Sequence, residues 1–293
     1  MSTFKDVYQT VTAQIVEAIE IGGAEYRMPW HSIGNACEEP SNVASKRPYR
    51  GVNVISLWAS AIARSYEYGL WGTYKQWQSV GGQVKKGESG TCVVLWKSIE
   101  KPEHDEKEDK EKDSTVNLAR GFSVFNVAQV EGYRMVDVPR LSEMERIERA
   151  ENFYAEVGAE IRHGGNRAYY NITEDHIALP PFEVFRSAMS YYATLGHETI
   201  HWTGAAHRLT RDFGSLERLD ARAFEELVAE LGAAFLCARL ELPTERRLDH
   251  AGYVKSWLEV LKQDKRAIFR AASTAQKASD WLCGQAVAIA NAA

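Results

Sequence analysis

Residues 191–204 read YYATLGHETIHWTG, and His197-Glu198-Thr199-Ile200-His201 inside them decides how the rest of the chain is read. Two residues four apart on a helix lie one turn apart, so both imidazoles leave the same face and can supply two ligands to one tetrahedral ion. Glu198, next to the first histidine, then projects beside that ion, where it can act as general base on water. Leu195, Ile200 and Trp202 make the helix at least half buried, which argues against a solvated helix with two unrelated histidines. Gly204 is expected to end the helix and let the chain reverse.

A catalytic ion needs a third protein ligand and an open position. Residues 224–236, FEELVAELGAAFL, form a strong helix on which Glu226 and Glu230 lie one turn apart. The apolar neighbours Leu227, Val228, Leu231 and Ala234 exclude a wholly solvated helix. The string E-x-x-A-acid resembles the second metal helix of gluzincin-type peptidases. There the first acid binds the metal and the acid one turn later holds a ligand histidine in its tautomer. The resemblance implies Glu226 as third ligand and Glu230 behind a histidine. Glu225, or an exchange of Glu226 and Glu230, are the alternatives. The expected cofactor is Zn2+ or another divalent transition metal. A donor to a developing oxyanion is also expected, with Tyr169, Tyr170, His207 and Arg208 as candidates; His207 also reads as a plain surface residue.

Working outward, residues 168–172 and 176–179 read as two short strands around a Thr-Glu-Asp turn. They match the sheet that covers the metal helix in zincin folds and pairs with a substrate backbone. Helical periodicity covers residues 142–157, 182–202, 221–240, 251–261 and 264–290. The first half mixes helices over residues 4–21 and 53–68 with strands over 91–96, 122–127 and 129–133. The class is therefore α+β. Residues 100–113, EKPEHDEKEDKEKD, are almost all charged and read as a solvated loop. A chain of 293 residues suits two domains, each burying its own core. The turn-rich stretch around Pro139 places the division at 1–138 and 139–293.

A net charge of −5 excludes a protein that coats duplex DNA through global basicity. Residues 45–97 are different, with eight bases against two acids and interleaved Tyr and Trp. That mixture grips single strands, cations meeting phosphates and flat rings meeting bases. Lys46, Arg47, Arg50, Lys85 and Lys86 are the expected phosphate contacts, and Tyr49, Trp71, Tyr74 and Trp77 the expected stacking rings. The alternative packs Trp58 and Trp96 in the core and leaves the lysines merely solvated. Cys37, Cys92, Cys237 and Cys283 form no C-x-x-C pair, which disfavours a cysteine zinc site and suits reduced thiols. No basic and apolar leader and no run of roughly 20 apolar residues is present, so a cytoplasmic protein without a membrane partner is expected.

Three further stretches of the first half are distinctive: SKRPYRGVNVISLW, YGLWGTYKQWQSVGGQVKKGESGTCVVLWK and FSVFNVAQVEG. Together with YYATLGHETIHWTGAAHRLTR and FEELVAELGAAFL they resemble the ArdC-type antirestriction proteins of conjugative plasmids. They are also similar to the N-terminal region of plasmid TraC-type primases. The resemblance runs over nearly the whole chain. It implies a single-stranded-DNA-binding domain followed by a zincin-like metallopeptidase domain. It also implies protection of entering plasmid DNA from host restriction, with a component of the restriction system as one possible protein substrate. No primase catalytic motif is found. The competing reading is a non-catalytic coat for single-stranded DNA whose zincin domain is structural; the intact Glu198 argues against it. A general peptidase without a DNA role is disfavoured by the basic, aromatic first half.

Overall fold

The computed structural model describes residues 6–23, 28, 30, 39–100, 115–135, 141–213, 219–243 and 251–290. The β-branched run TCVVLW begins β4 (Thr91–Glu100), which pairs antiparallel with β5 (Thr115–Asn126) from Thr91 opposite Val124 outward. The strand expected over 122–127 is thus the end of a longer one. All of the charged run but Glu100, residues 101–113, lies outside the described residues. β2 (Leu70–Gly72) joins β5 antiparallel and β1 (Ser41–Asn42) joins β2 in parallel, giving the order β1-β2-β5-β4. A second, two-stranded sheet joins β3 (Gln83–Val84) to β6 (Val130–Glu131).

Three helices accompany these sheets: α1 (Val7–Gly23), α2 (Val52–Ala63) and α3 (Tyr74–Ser79). Helix α2 stops short of the expected residue 68. Ser65 adopts φ 55°, and the Tyr66 amide donates back to the Ala61 carbonyl.

The second half opens with α4 (Glu143–Val157). Ser142 and Glu145 cap each other's backbone amides at its start, and Gly158 at φ 72° ends it. A three-stranded sheet follows, β7 (Ile161–His163), β8 (Tyr169–Asn171) and β9 (His176–Leu179), in the order β7-β9-β8. The sequence reading missed β7, which is parallel to β9, and β8 is left as an edge. Residues 182–184 form a separate 3-10 turn, so the helix expected from 182 starts after the Ser187 cap as α5 (Ala188–Thr203). Then come α6 (Leu219–Leu240), α7 (Ala251–Gln263) and α8 (Ala267–Ala290). Helices α5 and α6 touch closely: a Cβ on Gly232 would meet the Ile200 side chain at 2.7 Å. That approach brings the acids of α6 to the histidines of α5.

Apolar packing is partly separate in the first half and partly continuous between the halves. Two small clusters, Leu57-Ala61-Trp71-Val93-Val124 and Val43-Trp77-Val84, belong to the first half alone. The largest cluster is shared: Val11, Ile15, Ile55, Trp58 and Val94 are buried together with Leu231, Phe235, Ala271 and Ala275. Trp58 and Phe235 lie ring to ring at 6.0 Å. Polar ties cross the same junction, with Thr12 Oγ1 donating to the Lys265 carbonyl at 2.7 Å and the Gly51 amide to Gln276 Oε1 at 2.8 Å. Cys92, Cys237 and Cys283 are free thiols, and Cys37 lies outside the described residues. No helix among the described residues is long and apolar enough to cross a membrane.

Candidate metal centre

Helix α5 is buried along almost its whole length, and His197 and Glu198 are 2% and 4% exposed. The two imidazoles face each other edge to face, Nε2 to Nε2 at 3.1 Å. From α6 a Glu226 carboxylate oxygen lies 3.4 Å from His197 Nε2 and 3.8 Å from His201 Nε2. Two ligands at about 2.05 Å from a tetrahedral centre stand about 3.3 Å apart. The three donors are therefore spaced like the edges of such a tetrahedron, and their chemistry, two imidazoles and a carboxylate, suits a divalent cation.

The outward nitrogens are held as well. Glu230 Oε2 lies 3.5 Å from His197 Nδ1, and Trp30 Nε1 donates to Glu230 Oε1 at 3.4 Å. His201 Nδ1 lies 3.1 Å from Glu225 Oε1. The Glu225 carboxylate within hydrogen-bond reach of His201 Nδ1 favours a proton there, and the Glu230 carboxylate facing His197 Nδ1 favours the same tautomer, which leaves each Nε2 lone pair for a metal. Arg211 secures Glu225 with three hydrogen bonds of 2.9–3.1 Å, and also donates to Thr203 Oγ1 at 2.7 Å and to the Ile200 carbonyl at 2.5 Å. One guanidinium thus caps the end of the histidine helix and neutralises the acid behind His201. Burial alone would lower the His201 pKa, but hydrogen bonds to Glu225 and Glu226 outweigh it and push it up to about 10. Burial would raise Glu226, yet the two imidazoles hold its carboxyl well below the usual range.

Gly204 ends α5 as expected, but for another reason. Its φ of −77° is ordinary right-handed backbone. What it supplies is room, since a Cβ there would strike the ring of Phe213 and come within 2.9 Å of the Arg211 guanidinium.

The donors open into a cavity of about 510 Å3 that Glu198 also lines. Its walls include Asn166, Arg167, Tyr169 and Tyr170 at the β8 edge, Arg222 on α6 and Tyr253 on α7. Of the expected oxyanion donors, Tyr169 and Tyr170 reach this cavity, whereas His207 and Arg208 are absent from its walls. Arg208 instead locks the sheet to the end of α5: its Nε donates to the Trp202 carbonyl at 2.6 Å, its head stacks 3.8 Å over the Trp202 ring, and it grips Asp175. Tyr170 donates to the same Asp175 at 2.7 Å. Hydrogen bonds from Arg208 hold the Asp175 carboxyl down at about 2.

The expected DNA contacts divide. Trp71 and Trp77 are 1% and 0% exposed, so neither ring is available to a base. Trp77 Nε1 donates to the Phe125 carbonyl at 2.9 Å, and its ring meets Tyr133 edge-on. Tyr49 is half buried and its hydroxyl accepts from Asn42 at 3.0 Å, while Arg50 is paired with Asp280 of α8. Lys46, Arg47, Tyr74, Lys85 and Lys86 are exposed. They lie near one another: Asn42, at the start of the turn carrying Lys46 and Arg47, donates to Gln76 of α3 at 3.1 Å, and Tyr74 of α3 accepts from Gln83 beside Lys85 at 2.7 Å.

Comparison with known proteins places this geometry. A family described as the N-terminal domain of anti-restriction factor ArdC matches residues 5–125, and one described as zincin-like metallopeptidase matches residues 148–274. The crystal structure of the antirestriction protein ArdC from the R388 plasmid, metal-free, is 40% identical and superposes with a TM-score of 0.78, covering 96% of this chain and 98% of that one. The chain belongs to the ArdC family.

The Mn(II)-bound structure of R388 ArdC superposes with a TM-score of 0.77 at the same identity and coverage. A protein of Sinorhizobium fredii (strain NBRC 101917 / NGR234) described as uncharacterized protein y4eC is 51% identical over 96% of this chain and 92% of its own length. DNA primase TraC of Escherichia coli is 36% identical over 95% of this chain, which spans only 27% of that protein. The ArdC fold thus carries its zincin-like part where His197, His201 and Glu226 converge, and a divalent metal fits there. Arg211, Trp30 and Tyr253 escaped the sequence reading. Each reaches the site from a separate segment, and no local spacing marks it.

Proposed function

We propose that this ArdC protein is a zinc-dependent peptidase that also binds single-stranded DNA and protects plasmid DNA from restriction during conjugation. The observation that carries the peptidase reading is the tetrahedral spacing of His197, His201 and Glu226, with Glu198 in the wall of the same cavity. A divalent ion held by those three residues supplies Lewis acidity, polarising a peptide carbonyl and making water acidic near neutral pH. Glu198 takes a proton from the attacking water and returns it to the leaving nitrogen. Glu225 and Glu230 keep both imidazoles in the ligating tautomer. The β8 edge offers backbone groups to an extended substrate, and the Arg208-Asp175-Tyr170 lock holds that edge over the histidine helix. The exposed group Lys46, Arg47, Tyr74, Lys85 and Lys86, four cations and one ring, supports contact with a single strand.

The exposed basic group equally suits a coat that protects DNA without cleavage, and one experiment separates the two. Conjugation into a restricting recipient is scored with wild type and Glu198→Gln at matched expression, alongside a search for new protein termini in the recipient. Glu198→Gln is expected to lose cleavage by about a hundred to ten-thousand-fold, and with it a measurable part of the protection. Full protection by Glu198→Gln would replace the proteolytic reading with the coating one.

A further inference from the structure

Three acids line the candidate metal cavity, and the chemistry above employs each of them. Glu225 is held between Arg211 and His201, Glu226 faces both imidazoles, and Glu198 is placed to move the proton. The same walls carry two arginines that this chemistry leaves unused, Arg167 and Arg222. Most arginines nearby are committed to acids: Arg149 meets Glu241, Arg162 meets Glu160 and Glu174, Arg208 meets Asp175, and Arg211 meets Glu225. The Arg167 guanidinium is exposed and has no hydrogen bond or ion pair among the described residues.

Its place in the chain matters as much as its freedom. Tyr169 opens β8 opposite Ala178 of β9, and the far side of β8 is a sheet edge. Asn166, Arg167, Ala168, Tyr169 and Tyr170 all line the cavity, so the chain that leads into this edge runs along the rim with Arg167 two residues ahead of it. An extended peptide laid on the β8 edge therefore passes Arg167 close to the candidate metal ligands. Arg222 stands on a different element, one turn before Glu226 on α6. A guanidinium offers a fork of N–H donors that matches a carboxylate. A peptide without an acid leaves Arg167 solvated, one with an acid gains an ion pair, and one with a lysine meets repulsion. The difference between these cases is selectivity.

We propose that Arg167 selects peptide substrates that bring a carboxylate to the rim of this cavity, with Arg222 as a second cation of the same walls. The carboxylate is an Asp or Glu side chain near the cleaved bond or the C-terminal group of the substrate. The proposal rests on the peptidase reading and names its substrate class, acidic peptides. A nucleic-acid phosphate would also meet a guanidinium, but the unpaired backbone of β8 beside Arg167 favours a peptide.

The test measures binding, not turnover. Full-length Glu198→Gln is loaded with Zn2+, so that peptides are held without being cut. Short fluorescein-labelled peptide mixtures with Glu, Gln or Lys at the central position, each as free acid and as C-terminal amide, are titrated by fluorescence anisotropy. The Glu mixture is expected to bind about two- to five-fold more tightly than the Gln mixture, the Lys mixture to bind most weakly, and the differences to shrink as salt rises. A preference for the free acid over the amide would make the chain end the carboxylate that Arg167 takes. Adding Arg167→Gln should level whichever preference is seen, and adding Arg167→Glu should turn it toward Lys, with Zn2+ content unchanged in both. Binding that ignores both the central residue and the C-terminal group overturns the proposal. So does a preference that survives Arg167→Gln, or an Arg167 effect confined to binding of an oligothymidylate, which would give this cation to nucleic acid. Protein that takes up no Zn2+ or binds none of the mixtures overturns the peptidase reading itself, and the proposal with it.

Discussion

Around His197 and His201 the charged groups are buried and matched: Glu225 with Arg211 and His201, Glu230 with His197 and Trp30, Glu226 with both imidazoles. In residues 45–97 the charges lie at the surface and the largest rings are buried, with Trp71 and Trp77 sealed inside small clusters. Buried charge is costly unless paired, so a cluster of it is retained for a task. Buried tryptophan needs no such reason. The two regions therefore differ in how far their residue types speak for function.

The largest effect that sharpens this contrast falls on the first half. Trp77→Ala removes a fully buried ring and its hydrogen bond to Phe125, and is expected to cost about 3–5 kcal/mol in urea unfolding. A loss below about 1 kcal/mol, with weaker DNA binding instead, would return Trp77 to the stacking role. In the second half, Glu230→Gln and Glu225→Gln should each lower metal affinity by about ten to a hundred-fold while leaving the three ligands in place. Unchanged affinity in competition with a chelator would show that these acids serve folding alone.

These outcomes bear on what the sequence made legible. The candidate metal site was readable because His197 and His201, and Glu226 and Glu230, are pairs on single helices, where spacing alone sets the face. Spacing along α6 favoured Glu226 but left Glu225 or an exchange with Glu230 open; the proximity of a Glu226 oxygen to both Nε2 atoms, at 3.4 and 3.8 Å, depends on how α5 and α6 pack and supports Glu226. The fold class and most helices followed from periodicity. Strand β7 did not, because Ile161-Arg162-His163 is short, carries one apolar residue and is paired in parallel to a strand farther along. Trp71 and Trp77 were misplaced because a ring beside lysines in sequence can still turn inward. Only the convergence of β2, α3 and β5 decides it. The shared core was hidden for the same reason, since nothing local says that Trp58 packs on Phe235.

Smaller effects refine the contrast. Lys85→Glu with Lys86→Glu should weaken single-stranded DNA binding and flatten its log–log salt dependence by about 1.4, roughly 0.7 for each phosphate that is no longer neutralised. Metal content should not change. An unaltered slope would remove that turn from the interface. Asp175→Asn tests the lock. The Asp175 carboxyl is held at about 2 by Arg208, below its ordinary value near 4, so its stabilising effect is complete above about pH 4 and disappears as pH falls toward 2. The variant should be less stable than wild type at pH 7 by about 1 kcal/mol or less, since Asp175 is partly solvent-screened. The gap should close between pH 4 and pH 2. A gap that does not depend on pH would mean that the contact acts through shape alone.

The central claim is a single metal ion held by His197, His201 and Glu226. It is tested most directly by the metal content of purified protein after loading with Zn2+ and gel filtration. Wild type and Lys85→Glu should carry about one ion per chain, and His201→Ala and Glu226→Ala well under a tenth of that. A wild type that carries none, or a His201→Ala variant that keeps a full complement, would contradict the account.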